Sequence, residues 1–235
     1  MGFRQKLQFQ LVKTLSISNK EAKLLIESGQ VKINQQTTFL NEVIYPLDEI
    51  EVNGKMIQSL HSKSFFILNK PRGIECTFNP EIQDNLLSFL PETKDIFHIG
   101  RLDKDSQGLM LFSNEGKIHD KILRNIQKPV FKKYLVKINQ KINPGFIQKM
   151  ESGIEILGTI TEPCKLEQLD ETSFFIWLNQ GLNRQIRRMC YKLGAEVLYL
   201  ERHEIGEIKL GELPIGETRN LSQEELSFLQ SLFRS

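Results

Sequence analysis

Gly100 and Gly108 bracket a polar loop in the stretch HIGRLDKDSQGLMLFSNEG, which runs from His98 to Gly116. An apolar approach (Ile96, Phe97, Ile99) leads into the first glycine, and the run Leu109 to Phe112 leaves after the second. Short apolar runs bounded by glycine read as buried strands, so Arg101, Asp103, Lys104, Asp105, Ser106 and Gln107 fall between two strands. A loop held at both ends by buried strands can present a carboxylate rigidly, which is what a catalytic group requires. The residues by themselves favour a plain charged hairpin over a catalytic loop.

Elsewhere the chain is legible from caps and periodicity. Ser18-Asn19-Lys20-Glu21 has capping-box spacing, and Gly29 is placed to end the helix that follows through Ala22, Leu25 and Ile26. Val31 to Asn34 and Glu49 to Val52 read as strands, the second closed by the turn Asn53-Gly54. Phe65 to Leu68 is a β-prone run leading into the turn Asn69 to Gly73, Asp84 to Leu90 reads as a short helix, and Phe131 to Ile138 reads as a strand. Alternation along that strand puts Lys132, Tyr134 and Val136 on one face. Asn143-Pro144 starts a helix that Gly153 ends, and Ser173 to Leu178 is a buried strand. From Asn183, Ile186, Met189, Cys190 and Leu193 form an apolar helical stripe, with Arg184, Arg187 and Arg188 on an adjoining face. Ser222 to Glu225 repeats the capping-box spacing before a final amphipathic helix.

The formal net charge of +2 conceals segregation. Lys117 to Lys149 holds nine Lys or Arg against the single acid Asp120, whereas Met150 to Gln180 holds six acids against Lys165. The first 32 residues carry six basic and two acidic side chains. Two separate basic segments suit a protein that turns one face toward a polyanion. Three cysteines (Cys76, Cys164, Cys190) form no close pair, and the four histidines lack metal-ligand spacing. No apolar run approaches the ~18 residues of a membrane span, and a signal-peptide pattern is lacking. A cytoplasmic protein without a metal site is the expectation.

The segment GRLDKDSQGL followed by LMLFSNEG resembles the signature of the RsuA/RluB/RluF-type ribosomal RNA pseudouridine synthases. The block QGLNRQIRRMCYKLGAEVLYLERHEIGEIKLGELPIGETRNL, Gln180 to Leu221, resembles the same enzymes' C-terminal motif, and FKKYLV lies between the two in the family's order. The wordings RLDKDSQGL and GLNRQIRRMC are closest to the RluF type. The order helix, GQVKIN, DEIEVNG near the N-terminus resembles the S-four RNA-binding domain, although Ser-Asn-Lys-Glu-Ala stands where that family often has Ser-Arg-Arg-Glu-Ala.

This resemblance implies an enzyme that detaches uracil from its ribose, turns the base and rejoins it through a ring carbon, with no cofactor and no metal. It makes Asp103 the catalytic carboxylate, Arg187 the arginine that pairs with it, and Tyr134 the tyrosine that stacks on the target base. A phenol's ordinary pKa of about 10 favours stacking over proton transfer for a tyrosine in this role. Ile186 matches a position that packs against the base, and Arg101 one that fills the gap left by a flipped-out uridine. Phosphate contacts are expected from Lys132, Lys133, Arg184 and Arg188, with Lys20, Lys23 and Lys32 serving the N-terminal domain. The Lys-Pro-x-Gly turn at Lys70 to Gly73 is expected near the substrate cleft.

The expected architecture is α+β: an S-four-like RNA-binding domain over 1–58, a linker over 59–64, and a catalytic domain over 65–235 with a mixed, largely antiparallel sheet. The expected partner of this monomer is 23S ribosomal RNA or a pre-ribosomal particle, with a tRNA anticodon-loop uridine as a further target. The alternative is a non-catalytic RNA-binding or ribosome-assembly factor.

Overall fold

The computed structural model describes residues 5–59, 63–90, 95–125 and 128–234. The chain divides into two compact units, Met1–Ser64 with Leu226–Ser235, and Phe65–Glu225. Part of the expected linker, residues 60–62, lies outside the described residues.

The first unit contains helices α1 (Leu7–Leu15) and α2 (Asn19–Glu27) and strands β1 (Gln5–Lys6), β2 (Val31–Ile33), β3 (Gln36–Thr38), β4 (Val43–Ile44), β5 (Ile50–Val52) and β6 (Lys55–Gln58). The expected capping box opens α2: Glu21 N donates to Ser18 Oγ at 3.2 Å, and Ser18 N donates to Glu21 Oε2 at 2.8 Å. The sheet runs β3-β2-β5-β6 and is antiparallel throughout. Asn53 and Gly54, both at positive φ, make the two-residue turn whose twist matches the flanking strands. Leu7, Leu11, Ala22 and Ile26 from the helices share one core with Val31, Ile50 and Val52.

The second unit begins with β7 (Phe65–Lys70), β8 (Phe97–Ile99), β9 (Gln107–Ser113), α3 (Lys117–Leu123), β10 (Lys132–Ile138) and α4 (Pro144–Ser152). It continues with β11 (Glu155–Ile156), β12 (Thr159–Ile160), β13 (Lys165–Gln168), β14 (Ser173–Leu178), α5 (Gln185–Lys192), β15 (Val197–Ile205), β16 (Ile208–Lys209) and β17 (Thr218–Asn220). Helix α6 (Gln223–Arg234) follows. The main sheet has the order β13-β14-β10-β15-β9-β7-β17, with β16 on β15 and β8 on β9. Its pairings are antiparallel except β9–β15, so the expectation of a mixed, mostly antiparallel sheet holds.

Two expectations are corrected. The helix expected over Asp84 to Leu90 is a single 3₁₀ turn, Leu86–Ser88, capped by Asn85 Oδ1. Asp84 at φ 54 and Asn85 in extended backbone delay its start, and Pro91 disfavours helical backbone in the residue before it. The catalytic domain expected over 65–235 does not keep the end of the chain. The last ten residues cluster with the first unit, where Gln230 donates to Leu47 O and Arg234 pairs with the buried carboxylate of Asp48 at 2.8 Å.

The parallel junction positions the loop between β8 and β9. It is only two residues long, Gln107 against Glu201 and Gly108 against Arg202. Gly108 has φ +104, and a Cβ there would lie 2.4 Å from the backbone oxygen of Arg202. Both the backbone angle and the space therefore demand glycine. Across β7–β9, Gly108 pairs with Lys70, whose side chain is wholly buried. The Lys70 ammonium donates to Pro71 O and Ser106 O, both at 2.8 Å, which pins the far end of the loop. Burial pulls its pKa down to about 8, although Cys76, Asp103 and Asp105 push the other way.

Gly108→Ala should lower the unfolding free energy by about 3 kcal/mol, read by urea denaturation. Gly116→Ala, at φ −60 with open space around it, should change it by less than about 0.5 kcal/mol. Lys70 has a folded-state pKa of about 8 and an unfolded value of ~10.4. Between those values the unfolded chain binds the extra proton, so this side chain's contribution to stability rises with pH. Denaturation at pH 8 and 9.5 should show the wild type gaining more than Lys70→Met, at up to about 1.4 kcal/mol per pH unit.

Candidate active site

Asp103 lies at the crest of the β8–β9 loop, and its neighbours in sequence fix it there. Leu102 is buried in the cluster that contains Leu68, Leu86, Met110 and Phe112. The Leu102 backbone is clasped by Cys76, whose Sγ donates to Leu102 O at 3.1 Å. After Asp103 the chain turns tightly, with Ser106 N donating to Asp103 O at 3.0 Å. Gly73 N donates to Lys104 O at 2.7 Å, which brings the Lys70–Gly73 turn against the same loop. The Asp103 side chain remains 28% exposed.

Helix α5 supplies the guanidinium groups. Its stripe of Ile186, Met189 and Cys190 is buried in the cluster with Phe174, Ile176 and Leu200. Buried Gln185 ties the entry to the helix by accepting from Leu182 N at 3.0 Å and donating to Gln180 Oε1 at 3.0 Å. Arg184, the N-cap, has φ 50, a left-handed conformation uncommon outside glycine and enriched at functional sites. Arg187 then reaches the loop: Nη2 donates to Asp105 O at 3.0 Å and Nη1 to Val197 O at 3.1 Å. Its Nε lies 3.8 Å from Asp103 Oδ2, and the side chain is 13% exposed. Arg184 Nη1 stands 3.7 Å from Asp103 Oδ2 and 3.9 Å from Asp105 Oδ2. Burial and the charge of Arg184 draw the Arg187 pKa below its usual range, while Asp103 and Asp105 hold it up. Two cations therefore stand beside one carboxylate.

Tyr134 is half-buried and packs against both apolar clusters, the one containing Leu102 and the one containing Ile186. Its strand neighbour in β15 is Arg202. Ile186 belongs to the core and is 4% exposed. Arg101 is exposed beside the loop.

The expected phosphate contacts divide. Lys132 is 6% exposed; its ammonium donates to Asn179 O at 3.0 Å, and burial, helped by Arg202, lowers its pKa to about 8. Alternation placed its side chain on the buried face together with Val136, so it is a structural cation and not a phosphate ligand. Lys133 is likewise engaged, over the rings of Phe175 and Trp177 at 4.1 and 5.0 Å and 3.5 Å from Glu204. Arg188 folds back onto Asn183 through Nε and Nη2. In the first unit Lys20 and Lys23 are exposed, Lys23 near Glu27, whereas Lys32 pairs with Glu51 at 3.0 Å.

Three supports escaped the sequence reading. Lys70 continues the buried run of β7, and Arg202 falls in step with buried Leu200 on β15, donating from Nε to Leu109 O at 2.7 Å. Gln107 donates to Tyr199 Oη and Glu201 Oε1, both at 2.9 Å. Burial raises the Glu201 carboxylate's pKa, but hydrogen bonds from His203 and Gln107 outweigh it and leave the value lowered. Charged residues at the buried phase of a strand were the available signal for the two cations. Among the described residues no group of three or more His, Cys, Asp or Glu could hold a metal ion.

Residues 64–192 match the family model described as RNA pseudouridylate synthase. The chain is 41% identical over 220 residues to the dual-specificity RNA pseudouridine synthase RluF of Escherichia coli K12, covering 93% of this chain and 76% of that one. It is 31% identical over 226 residues to the ribosomal large subunit pseudouridine synthase B of Bacillus subtilis, covering 92% and 91% of the two. A crystal structure of a pseudouridylate synthase superposes with a TM-score of 0.67 at 29% identity, over 95% of this chain and 99% of that one. With the loop carboxylate, the two arginines and the sheet that joins them in place, the chain belongs to the RNA pseudouridine synthase family.

Proposed function

We propose that this enzyme isomerises a specific uridine in 23S ribosomal RNA, with a tRNA anticodon-loop uridine as a second substrate, and that Asp103 is the catalytic carboxylate. The observation that carries the proposal is the convergence of Arg187 and Arg184 on Asp103 at 3.8 and 3.7 Å from a distant helix. The large-subunit name of the Bacillus subtilis relative and the dual-specificity name of the Escherichia coli one support the choice of substrates.

In the reaction the bond from uracil N1 to ribose C1′ breaks, the base turns, and C5 bonds to C1′. C5 then loses its proton and N1 gains one, so atoms and electrons balance without a cofactor. The Asp103 carboxylate serves each available route: addition to C1′, addition to the uracil ring, or removal of a ribose proton. Arg187 and Arg184 offset the negative charge of Asp103 as substrate entry strips water from the site. Tyr134 provides the stacking face for the base, with Ile186 beneath as packing. Arg101 occupies the space left in the RNA by the flipped uridine, whose unstacking costs a few kcal/mol.

Arg184 and Arg188 carry phosphate contacts, which set affinity and register more than base identity. Lys132 acts from inside the fold, and Lys133 is held over the rings of Phe175 and Trp177. The first unit, with exposed Lys20 and Lys23 on α2 and a small antiparallel sheet, serves as an S-four-like RNA-binding domain.

Asp103→Asn should reduce pseudouridine formation by about a thousandfold or more while leaving the RNA dissociation constant within about threefold, because the change removes a negative charge from a polyanion's path. Mapping pseudouridines in 23S ribosomal RNA and tRNA from cells expressing the wild type or the variant reads the first quantity, and filter binding reads the second. An unchanged map would remove Asp103 from the chemistry.

A further inference from the structure

A groove of about 460 Å³ runs along α5 beside the β11–β12 hairpin. Arg184 and Arg187 line it, so it shares with the Asp103 site the two guanidinium groups that stand beside that carboxylate. Further along, it is lined by Arg188, Lys192 and Tyr191, with Leu157 from the hairpin. Glu196 is the acid that lines it, against four cations.

Two of these side chains have no structural task that explains them. Tyr191 is 79% exposed, one turn beyond Arg187 on the same helix. Leu157 is also exposed, at the tip of the hairpin, where Leu157 and Gly158 both have positive φ. Pairing of Glu155 with Ile160 and of Ile156 with Thr159 makes this a tight turn, and buried Ile156 anchors it. The apolar tip is therefore held out rigidly beside the aromatic ring and the cations.

A ring, an apolar side chain and several cations in one open groove are what a single-stranded nucleotide needs, a π-face to stack on and charge for its phosphate. A groove of this volume is within the range that accepts a group of nucleotide size. We infer that the groove binds a nucleotide flanking the target uridine, its base stacked on Tyr191 and bounded by Leu157, its phosphate met by Arg188 and Lys192. This rests on the reading of the protein as an RNA-modifying enzyme and extends that site outward by one nucleotide. A peptide partner would find fewer apolar contacts and an excess of cations there.

The test uses the full chain and a fluorescein-labelled oligouridine decamer, followed by anisotropy. Tyr191→Ala should weaken binding about tenfold, while Tyr191→Phe, which keeps the stacking face, should bind within about twofold of wild type. Lys192→Ala should make the slope of log affinity against log salt shallower by about 0.7. Wild-type affinity in Tyr191→Ala, or no binding of the decamer by the wild type, would overturn the inference. Asp103→Asn separates the two readings. Decamer binding that still depends on Tyr191 supports the groove whatever the pseudouridine map reports, and a changed map with binding indifferent to Tyr191 leaves the isomerase without this subsite.

Discussion

The contact between Gly108 and the backbone of Arg202 is the constraint on which the rest of the catalytic unit depends. Two residues of parallel pairing join the β8–β9–β7–β17 portion of the sheet to the β15–β10–β14–β13 portion. One portion carries the Asp103 loop, and the other supports the helix of Arg187. A junction this short gains little from its ladder, so the side chains around it must hold the alignment. Gln107 does so from the loop side by bonding Tyr199 and Glu201, and Arg202 does so from the β15 side by bonding Leu109 O. A side chain at position 108 would push these two strands apart and move the carboxylate away from its arginines.

Positive charge is layered around this junction. Lys70, Lys132 and Arg202 are buried, while Arg187 and Arg184 are progressively more exposed toward the groove. The inner cations bond backbone oxygens instead of carboxylates: Pro71 and Ser106 for Lys70, Asn179 for Lys132, and Leu109 for Arg202 Nε, while Arg202 Nη2 is buried without a partner. Such groups spend their hydrogen bonds on fixing loops, yet their charge still acts at Asp103 and on an incoming polyanion. The lowered pKa values of Lys70 and Lys132 record what that burial costs.

Local chemistry made much of this legible in the sequence. Ser18 and Asn143 cap their helices, Asn53-Gly54 makes its hairpin turn, and the stripe of α5 faces the core, because each is decided within a few residues. The loop of Asp103 was readable for the same reason, as glycines and apolar runs on either side. What alternation could not assign was charge at buried positions. It places Lys132 on a face without saying whether that face meets RNA or the core, and the deciding neighbours, Asn179 and Arg202, come from other strands. The convergence of Arg187 on Asp103 was supplied by family resemblance, since no periodicity connects residues so far apart along the chain. The fate of α6 was likewise decided by tertiary partners, Leu47 and Asp48, that its own amphipathic pattern does not name.

The geometry around Asp103 also suits a site that changes its dielectric when it is filled. Arg187 spends both terminal nitrogens on backbone oxygens of Asp105 and Val197, and its buried Nε makes no hydrogen bond. The guanidinium is thus held by the fold and not by the carboxylate, which it meets only as a charge at 3.8 Å. A direct hydrogen bond would occupy a carboxylate lone pair, whereas a charge at this distance leaves those lone pairs open. In a partly solvated site that attraction is weak, and exclusion of water strengthens it several-fold. The attraction between Arg187 and Asp103 is therefore set by how much water the site holds, since the fold already fixes the guanidinium beside the carboxylate.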